Sequence, residues 1–131
     1  MEEEVKVLLI EDDEFAAEMY RLRLSGDGYE VVIARNGQEG LNLAASVLPD
    51  FVYLDIRLPI LDGFEVLEQL RANPLTAHIP VIILTNYGEE EFRERGLKLG
   101  ALEFLVKSDT TPARLSETVE RVTGSRSIPT A

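Results

Sequence analysis

Phe51-Val52-Tyr53-Leu54-Asp55 is four apolar residues that stop on a carboxylate. Short runs of this kind, rich in β-branched and aromatic side chains and lacking polar alternation, read as strands buried on both faces, as in a parallel sheet. Three other runs share the design. Val5-Lys6-Val7-Leu8-Leu9-Ile10 ends on Glu11-Asp12-Asp13, Val81-Ile82-Ile83-Leu84 ends on Thr85, and Phe104-Leu105-Val106 ends on Lys107. In open α/β sheets ligands bind outside the carboxyl ends of the strands. Carboxylates, one hydroxyl and one ammonium are therefore expected to meet in a single crevice.

Between these runs lie helical patterns, so the chain reads as about five βα rounds. Strands are expected near 5–10, 30–34, 51–55, 80–84 and 103–106, and helices near 13–25, 37–47, 63–71, 89–98 and 111–122. The punctuation agrees: Gly26 and Gly28 close the first helix, Asn36-Gly37 opens the second, and Thr111-Pro112 starts the fifth with proline in its first turn. Strands alternating with helices imply an α/β fold, a parallel sheet covered on both faces. The stretch after Val122 has no periodicity; one domain over residues 1–124 and a frayed tail over 125–131 are expected.

At 131 residues the chain suits a single domain, and a domain of that size buries roughly two thirds of its unfolded surface. With no cysteine, disulfides, thiolate metal sites and a cysteine nucleophile are excluded. The start, Met1-Glu2-Glu3-Glu4, is acidic where a secretory signal is basic, and no apolar run reaches the roughly 18 residues of a membrane span. A cytoplasmic protein without membrane insertion is expected. The net charge of -11, from 24 acidic against 13 basic residues, argues against direct nucleic-acid binding, which needs a basic face. Such a surface suits cations and basic partners, or serves solubility alone.

Adjacent carboxylates at Glu11-Asp12-Asp13 repel one another unless a cation or proton lies between them. Magnesium fits, because it takes oxygen ligands and commonly uses one or two carboxylates plus phosphate. Alternatively Asp12 or Asp13 simply caps the first helix. Asp55 needs a partner to offset its desolvation at the end of a buried run. Beside a metal it could act as a nucleophile toward a phosphoryl group and form an acyl phosphate. Phosphoryl transfer then needs positioning and positive charge on the equatorial oxygens. Thr85 could donate to one such oxygen and Lys107 could neutralise another.

This set resembles the receiver domain of two-component response regulators, the CheY-like family. The resemblance covers about residues 5–122. Its marks are Leu9-Ile10-Glu11-Asp12-Asp13, Leu54-Asp55-Ile56-Arg57-Leu58-Pro59-Ile60-Leu61-Asp62-Gly63, Ile79-Pro80-Val81-Ile82-Ile83-Leu84-Thr85 and Gly100-Ala101-Leu102-Glu103-Phe104-Leu105-Val106-Lys107. The resemblance implies a doubly wound, flavodoxin-like sheet in strand order 2-1-3-4-5. It also implies Asp55 as phosphoacceptor, and Mg2+ held by Glu11, Asp12, Asp55 and the Arg57 carbonyl. Thr85 and Lys107 would bind the phosphoryl group, with Thr85 and Phe104 as the switch pair. The expected function is a phosphoacceptor switch, catalysing only its own phosphorylation and dephosphorylation, that takes a phosphoryl group from a histidine kinase or histidine phosphotransfer protein. It would then change the face made by helix four, strand five and helix five to control a downstream effector or output domain. Without an output domain, the chain either signals by protein contact or is a piece of a larger regulator.

Three positions depart from the family pattern. Asn86 stands directly after the switch threonine, where a small residue is usual, and is followed by Tyr87; with Arg57 two residues past the acceptor, attacking water should be hindered and the acyl phosphate long-lived. Ser108 replaces the proline that commonly follows the lysine, so the Lys107-Ser108 bond is either trans or strained, since a non-proline cis peptide costs about 2.5–4 kcal/mol. Phe104 lacks a hydroxyl and could report on Thr85 only through packing.

On the first helix Ala16, Met19, Tyr20 and Leu24 are expected to share a broad apolar sector, with Phe15 and Leu22 toward one side of it, either as the rim of the core or as a docking edge; the resemblance implies that the kinase or phosphotransfer partner meets this helix, with Phe15 the candidate contact. His78 reads as a surface loop residue. A phosphohydrolase using an aspartyl phosphate would usually carry a second acid where Arg57 stands, and no glycine-rich phosphate loop or hydroxyl-rich flavin loop is present. A receiver-like interaction module that is never phosphorylated is the remaining alternative.

Overall fold

The computed structural model describes residues 4–124; the expected tail, 125–131, lies outside the described residues. Five strands alternate with five helices: β1 (Lys6–Ile10), α1 (Glu14–Gly26), β2 (Glu30–Ala34), α2 (Gly37–Val47), β3 (Phe51–Leu54), α3 (Gly63–Ala72), β4 (Val81–Thr85), α4 (Glu90–Lys98), β5 (Glu103–Val106) and α5 (Pro112–Thr123). All strand pairings are parallel, in the order β2-β1-β3-β4-β5. The order implied by the resemblance is therefore the observed one. Thr123 belongs to α5, one residue beyond the expected end, and Gly124 closes the helix in the left-handed conformation.

The lack of polar alternation in the central strands follows from a core on each side of the sheet. Leu8, Ile10, Val52, Leu54, Val81, Ile83 and Phe104 face one way and pack against α2 and α3. Val7, Leu9, Phe51, Tyr53, Ile82 and Leu84 face the other way, against Ala17, Tyr20 and Leu24 of α1 and Leu115 and Val119 of α5. Side chains on a strand alternate between faces, so parity selects the core each one joins.

On α1 one expectation is corrected. The inward residues are Ala17, Tyr20 and Leu24, whereas Met19 is 47% exposed and lines up outside with Phe15 (90%) and Leu22 (59%). Positions 15, 19 and 22 follow the i, i+4, i+7 spacing of one helix face. The helix thus carries two apolar stripes, and only contact with α5 and the sheet decides which one is buried. Among the described residues no helix is long and apolar enough to cross a membrane.

Candidate functional site

Register brings the predicted residues together at the carboxyl end of the sheet. Ile10 pairs with Leu54, so Glu11 and Asp55 stand side by side one residue further on. Backbone bonds prolong the ladder there: Glu11 N–H donates to the Ala34 carbonyl and Asp55 N–H to the Ile10 carbonyl. Glu11 and Asp55 are 1% and 6% exposed. Both continue the strand parity of the α1 and α5 face, and so does Lys107 after Val106. Its ammonium donates to Asp55 Oδ2 at 3.0 Å and also bonds Glu11 Oε1. The serine after Lys107 does not displace it. The described peptide bonds include no cis bond, and Lys107–Asp109 forms a 3-10 turn absent from the sequence reading.

The acidic triplet divides its work. Asp13 caps α1, accepting from the N–H groups of Phe15 (2.9 Å) and Ala16 (3.2 Å), as Asp at this position is suited to do. Glu11 Oε2 in turn accepts from Asp13 N–H at 3.1 Å. Asp12 is exposed, and its carboxylate oxygen lies within 4.8 Å of one from Glu11 and one from Asp55. Capping and site chemistry were alternatives in the sequence; in the fold they fall to neighbouring residues.

The electrostatics show what this cluster lacks. Burial pushes the Glu11 carboxyl up to about 7 against the bond from Lys107, and the charge of Asp55 adds to the rise. Burial also draws the Lys107 ammonium downward, but its bond to Glu11 and the charge of Asp55 outweigh this and hold it above its ordinary value. One ammonium serves two buried carboxylates beside a third acid. Three convergent carboxylate oxygens with a deficit of positive charge are a donor set that fits a hard divalent cation.

Thr85 ends β4, fully buried, with Oγ1 accepting from Tyr87 N–H at 3.4 Å. Its strand parity turns it toward the opposite face from Lys107, next to the α3 and α4 side. Phe104 lies in the core on that side, with the Arg93 guanidinium 5.2 Å from its ring centroid. Arg57 N–H donates to Asp55 Oδ1 at 3.3 Å, and the Arg57 side chain reaches across to Tyr87. Asn86 and His78 are exposed.

Two features of the loop after Asp55 carry no role in the sequence reading. A Cβ on Gly63 would lie 2.2 Å from the Asp55 carbonyl oxygen, and one on Gly37 would lie 2.2 Å from the Leu61 carbonyl oxygen. The loop is thus clamped between the first turns of α3 and α2, an approach open only to glycine. Within it Ile60 adopts φ 74°, and Leu61 N–H donates to the Pro59 carbonyl at 2.8 Å, the i→i+2 bond of a γ-turn. Positive φ at a β-branched residue is strained. Asp62-Gly63 hints at a helix start, but nothing local announces the strain.

This sheet order with a buried acidic pair, a lysine and a threonine at its carboxyl end is the arrangement of a phosphoacceptor switch. The chain belongs to the response regulator receiver domain family, whose model matches residues 7–120. It is 37% identical over 102 residues to the response regulator PleD of Caulobacter vibrioides, covering 78% of this chain and 22% of that protein. To the phosphate regulon transcriptional regulatory protein PhoB of Rhizobium meliloti it is 38% identical over 107 residues, covering 82% and 47%. Among solved structures, chemotaxis protein CheY4 of Vibrio cholerae matches with a TM-score of 0.84 and 31% identity, over 92% of this chain and 99% of that one. A CheY-like receiver domain protein of Methanospirillum hungatei matches with a TM-score of 0.86 and 27% identity, over 93% and 95%. The chain spans about half the length, or less, of these curated relatives. Receiver domains are phosphoacceptor switches rather than enzymes, and they interact with histidine kinases and output domains. Their acidic triad typically binds Mg2+, and Glu11, Asp12 and Asp55 supply one here.

Proposed function

We propose that Asp55 accepts a phosphoryl group from a phosphohistidine of a kinase or phosphotransfer protein. The observation that carries this is the Asp55 carboxylate itself: buried, within reach of two further carboxylates, and paired with Lys107 at 3.0 Å. An Asp55 oxygen attacks phosphorus, the P–N bond to the donor imidazole breaks, and the imidazole keeps the electron pair. Glu11, Asp12, Asp55 and the Arg57 carbonyl would hold Mg2+, which when bound offsets the negative charge of the incoming phosphoryl group. Lys107, already between Glu11 and Asp55, neutralises a phosphoryl oxygen, and the Thr85 hydroxyl donates to another.

Phosphorylation would be read out on the face of α4, β5 and α5, with Thr85 moving toward the phosphoryl group and Phe104 reporting by packing. The exposed stripe of Phe15, Met19 and Leu22 on α1 supports docking of the phosphodonor beside the site. A domain over 1–124, a cytoplasmic setting, and control of a partner by protein contact without direct nucleic-acid binding complete the reading.

Incubation with acetyl phosphate and magnesium, followed by intact-mass measurement, tests it. The expected result is one added phosphoryl group that requires magnesium and is lost in Asp55→Asn. An adduct that survives in Asp55→Asn would refute the assignment. No adduct, with no response to beryllofluoride, would favour the module that is never phosphorylated.

A further inference from the structure

On the side of the sheet away from α1 and α5, helices α2 and α3 lie next to each other, each returning from the carboxyl end of one parallel strand to the start of another. Between them is a cleft of about 660 Å³, within the size range of ligand sites. Gln38, Asn42 and Ser46 line it from α2, and Gln69, Asn73 and Thr76 line it from α3 and the turn that follows. Its lining includes no charged and no aromatic side chain, although 28% of the chain is charged.

The polar groups are regularly spaced. Gln38, Asn42 and Ser46 recur every four residues along one wall, and Gln69 and Asn73 do the same on the other. At a rise of about 1.5 Å per residue, that is one polar group every ~6 Å. An extended peptide turns an N–H and a C=O to the same side at every second residue, a repeat of about 6.4–6.8 Å. The two repeats stay nearly in step over three rungs, about 12 Å of helix against about 13 Å for four residues of strand.

A carboxamide carries two donor hydrogens and an acceptor oxygen, so it can pair with both backbone groups of a peptide unit. Gln38 Nε2 donates to Asn42 Oδ1 at 3.1 Å, which steadies that wall and leaves the Gln38 oxygen and the Asn42 NH2 for a ligand. Asn73 Oδ1 accepts from Leu75 N–H at 3.0 Å, which leaves its NH2 group, and no described residue engages the Gln69 carboxamide. The buried Thr76 hydroxyl donates to the Leu70 carbonyl at 2.8 Å and pins the turn that closes α3. Walls fixed in advance lower the ordering cost of binding.

We infer that the cleft between α2 and α3 is a docking site for an extended, uncharged peptide segment of a partner protein, held by main-chain hydrogen bonds to Gln38, Asn42, Gln69 and Asn73. The lining has no counter-charge to offset the desolvation of a phosphate or a metal ion. A sugar ring would find no aromatic platform for its apolar face. None of these residues belongs to the acidic cluster, to α1 or to the face of α4, β5 and α5, so the inference stands apart from the role of Asp55.

The test is a display library of random dodecapeptides selected on the wild-type protein. Enriched peptides are then titrated into isotope-labelled protein, with the side-chain NH2 resonances as readout. They should be poor in charged residues and should shift the NH2 signals of Gln38, Asn42, Gln69 and Asn73. Asn42→Ala and Gln69→Ala change exposed positions and should keep the melting temperature of wild type, yet each should weaken binding roughly two- to tenfold, the worth of one amide hydrogen bond. Methylating the peptide's backbone nitrogens removes its main-chain donors and should abolish binding. Peptides that map to the Phe15, Met19 and Leu22 stripe, that bind both variants as tightly as wild type, or that tolerate backbone methylation would overturn the inference. So would a library that yields no binder at the cleft, or maltose shifting the same NH2 signals where no peptide does.

Discussion

Helices α1 and α4 are seated on the molecule by opposite means. Helix α1 is capped by Asp13 and buries Ala17, Tyr20 and Leu24 against the sheet and α5. Helix α4 begins at Glu90, the preceding Glu89 makes no side-chain capping bond, and Gly96 is its one buried residue. Arg93 lies over Phe104 at 5.2 Å, Arg95 lies over Phe64 at 4.2 Å, and the Phe92 and Phe64 rings are 6.0 Å apart. A Cβ on Gly96 would come within 2.4 Å of Ile83 Cδ1, so the helix lies close to the strand at that point and a larger residue there would push the isoleucine terminus aside. Aliphatic burial fixes one helix; the half-buried Phe92 and two cation–aromatic contacts hold the other. Segments with few buried apolar contacts open locally at low free energy. Helix α4 is therefore expected to open locally before α1, which with the acidic cluster forms the frame.

The sharpest way to break this contrast is to truncate one leucine on each helix. Leu24→Ala in α1 should cost about 2–5 kcal/mol of stability, the usual range for emptying a core leucine site. Leu97→Ala in α4 should stay within about 0.5 kcal/mol, since Leu97 is 44% exposed. Urea denaturation of both variants measures the difference, and comparable losses would mean that α4 is as firmly seated as α1.

The frame is well packed but electrostatically burdened, which sharpens the comparison from the other side. A carboxyl raised in the folded state to about 7 from its ordinary value of 4.5 contributes stability that is fully present below 4.5 and is lost as pH rises through 7. Without divalent metal, acidification from pH 8 to 5 should stabilise wild type relative to Glu11→Gln, on the order of 2 kcal/mol. Melting temperatures of the two proteins across that range check the sign. Magnesium should shrink the difference, because it favours the charged carboxylate. A pH profile identical in the two proteins would show that Glu11 is not the burdened group.

The smallest effect belongs to the arginines. Arg93→Ala and Arg95→Ala should each cost about 0.5–1 kcal/mol. Hydrogen exchange should accelerate in α4 and leave α1 unchanged. Acceleration spread evenly over both helices would contradict a locally held α4.

Much of the site was legible because strand ends are legible. Each apolar run stops where the chain leaves the sheet, and Glu11, Asp55, Thr85 and Lys107 are the stopping residues. The two faces of α1 were not, because Met19 and Ala17 are both apolar and helical spacing alone cannot say which one meets α5. The roles within Glu11-Asp12-Asp13 were likewise open until Asp13 was seen accepting from the N–H groups of α1. The meeting of Arg57 with Tyr87 joins two loops 30 residues apart in sequence and leaves no local trace.

By itself the sequence determined the element order, the parallel sheet and the chemical inventory at its carboxyl end, because hydrophobic periodicity and strand termination are local properties. Tertiary structure alone decided which carboxylate caps and which share Lys107, which stripe of α1 is exposed, how the loop after Asp55 is clamped by Gly37 and Gly63, and how weakly α4 is held. Those outcomes depend on register, parity and close approach between segments far apart in the chain, and such contacts exist only once the sheet has assembled.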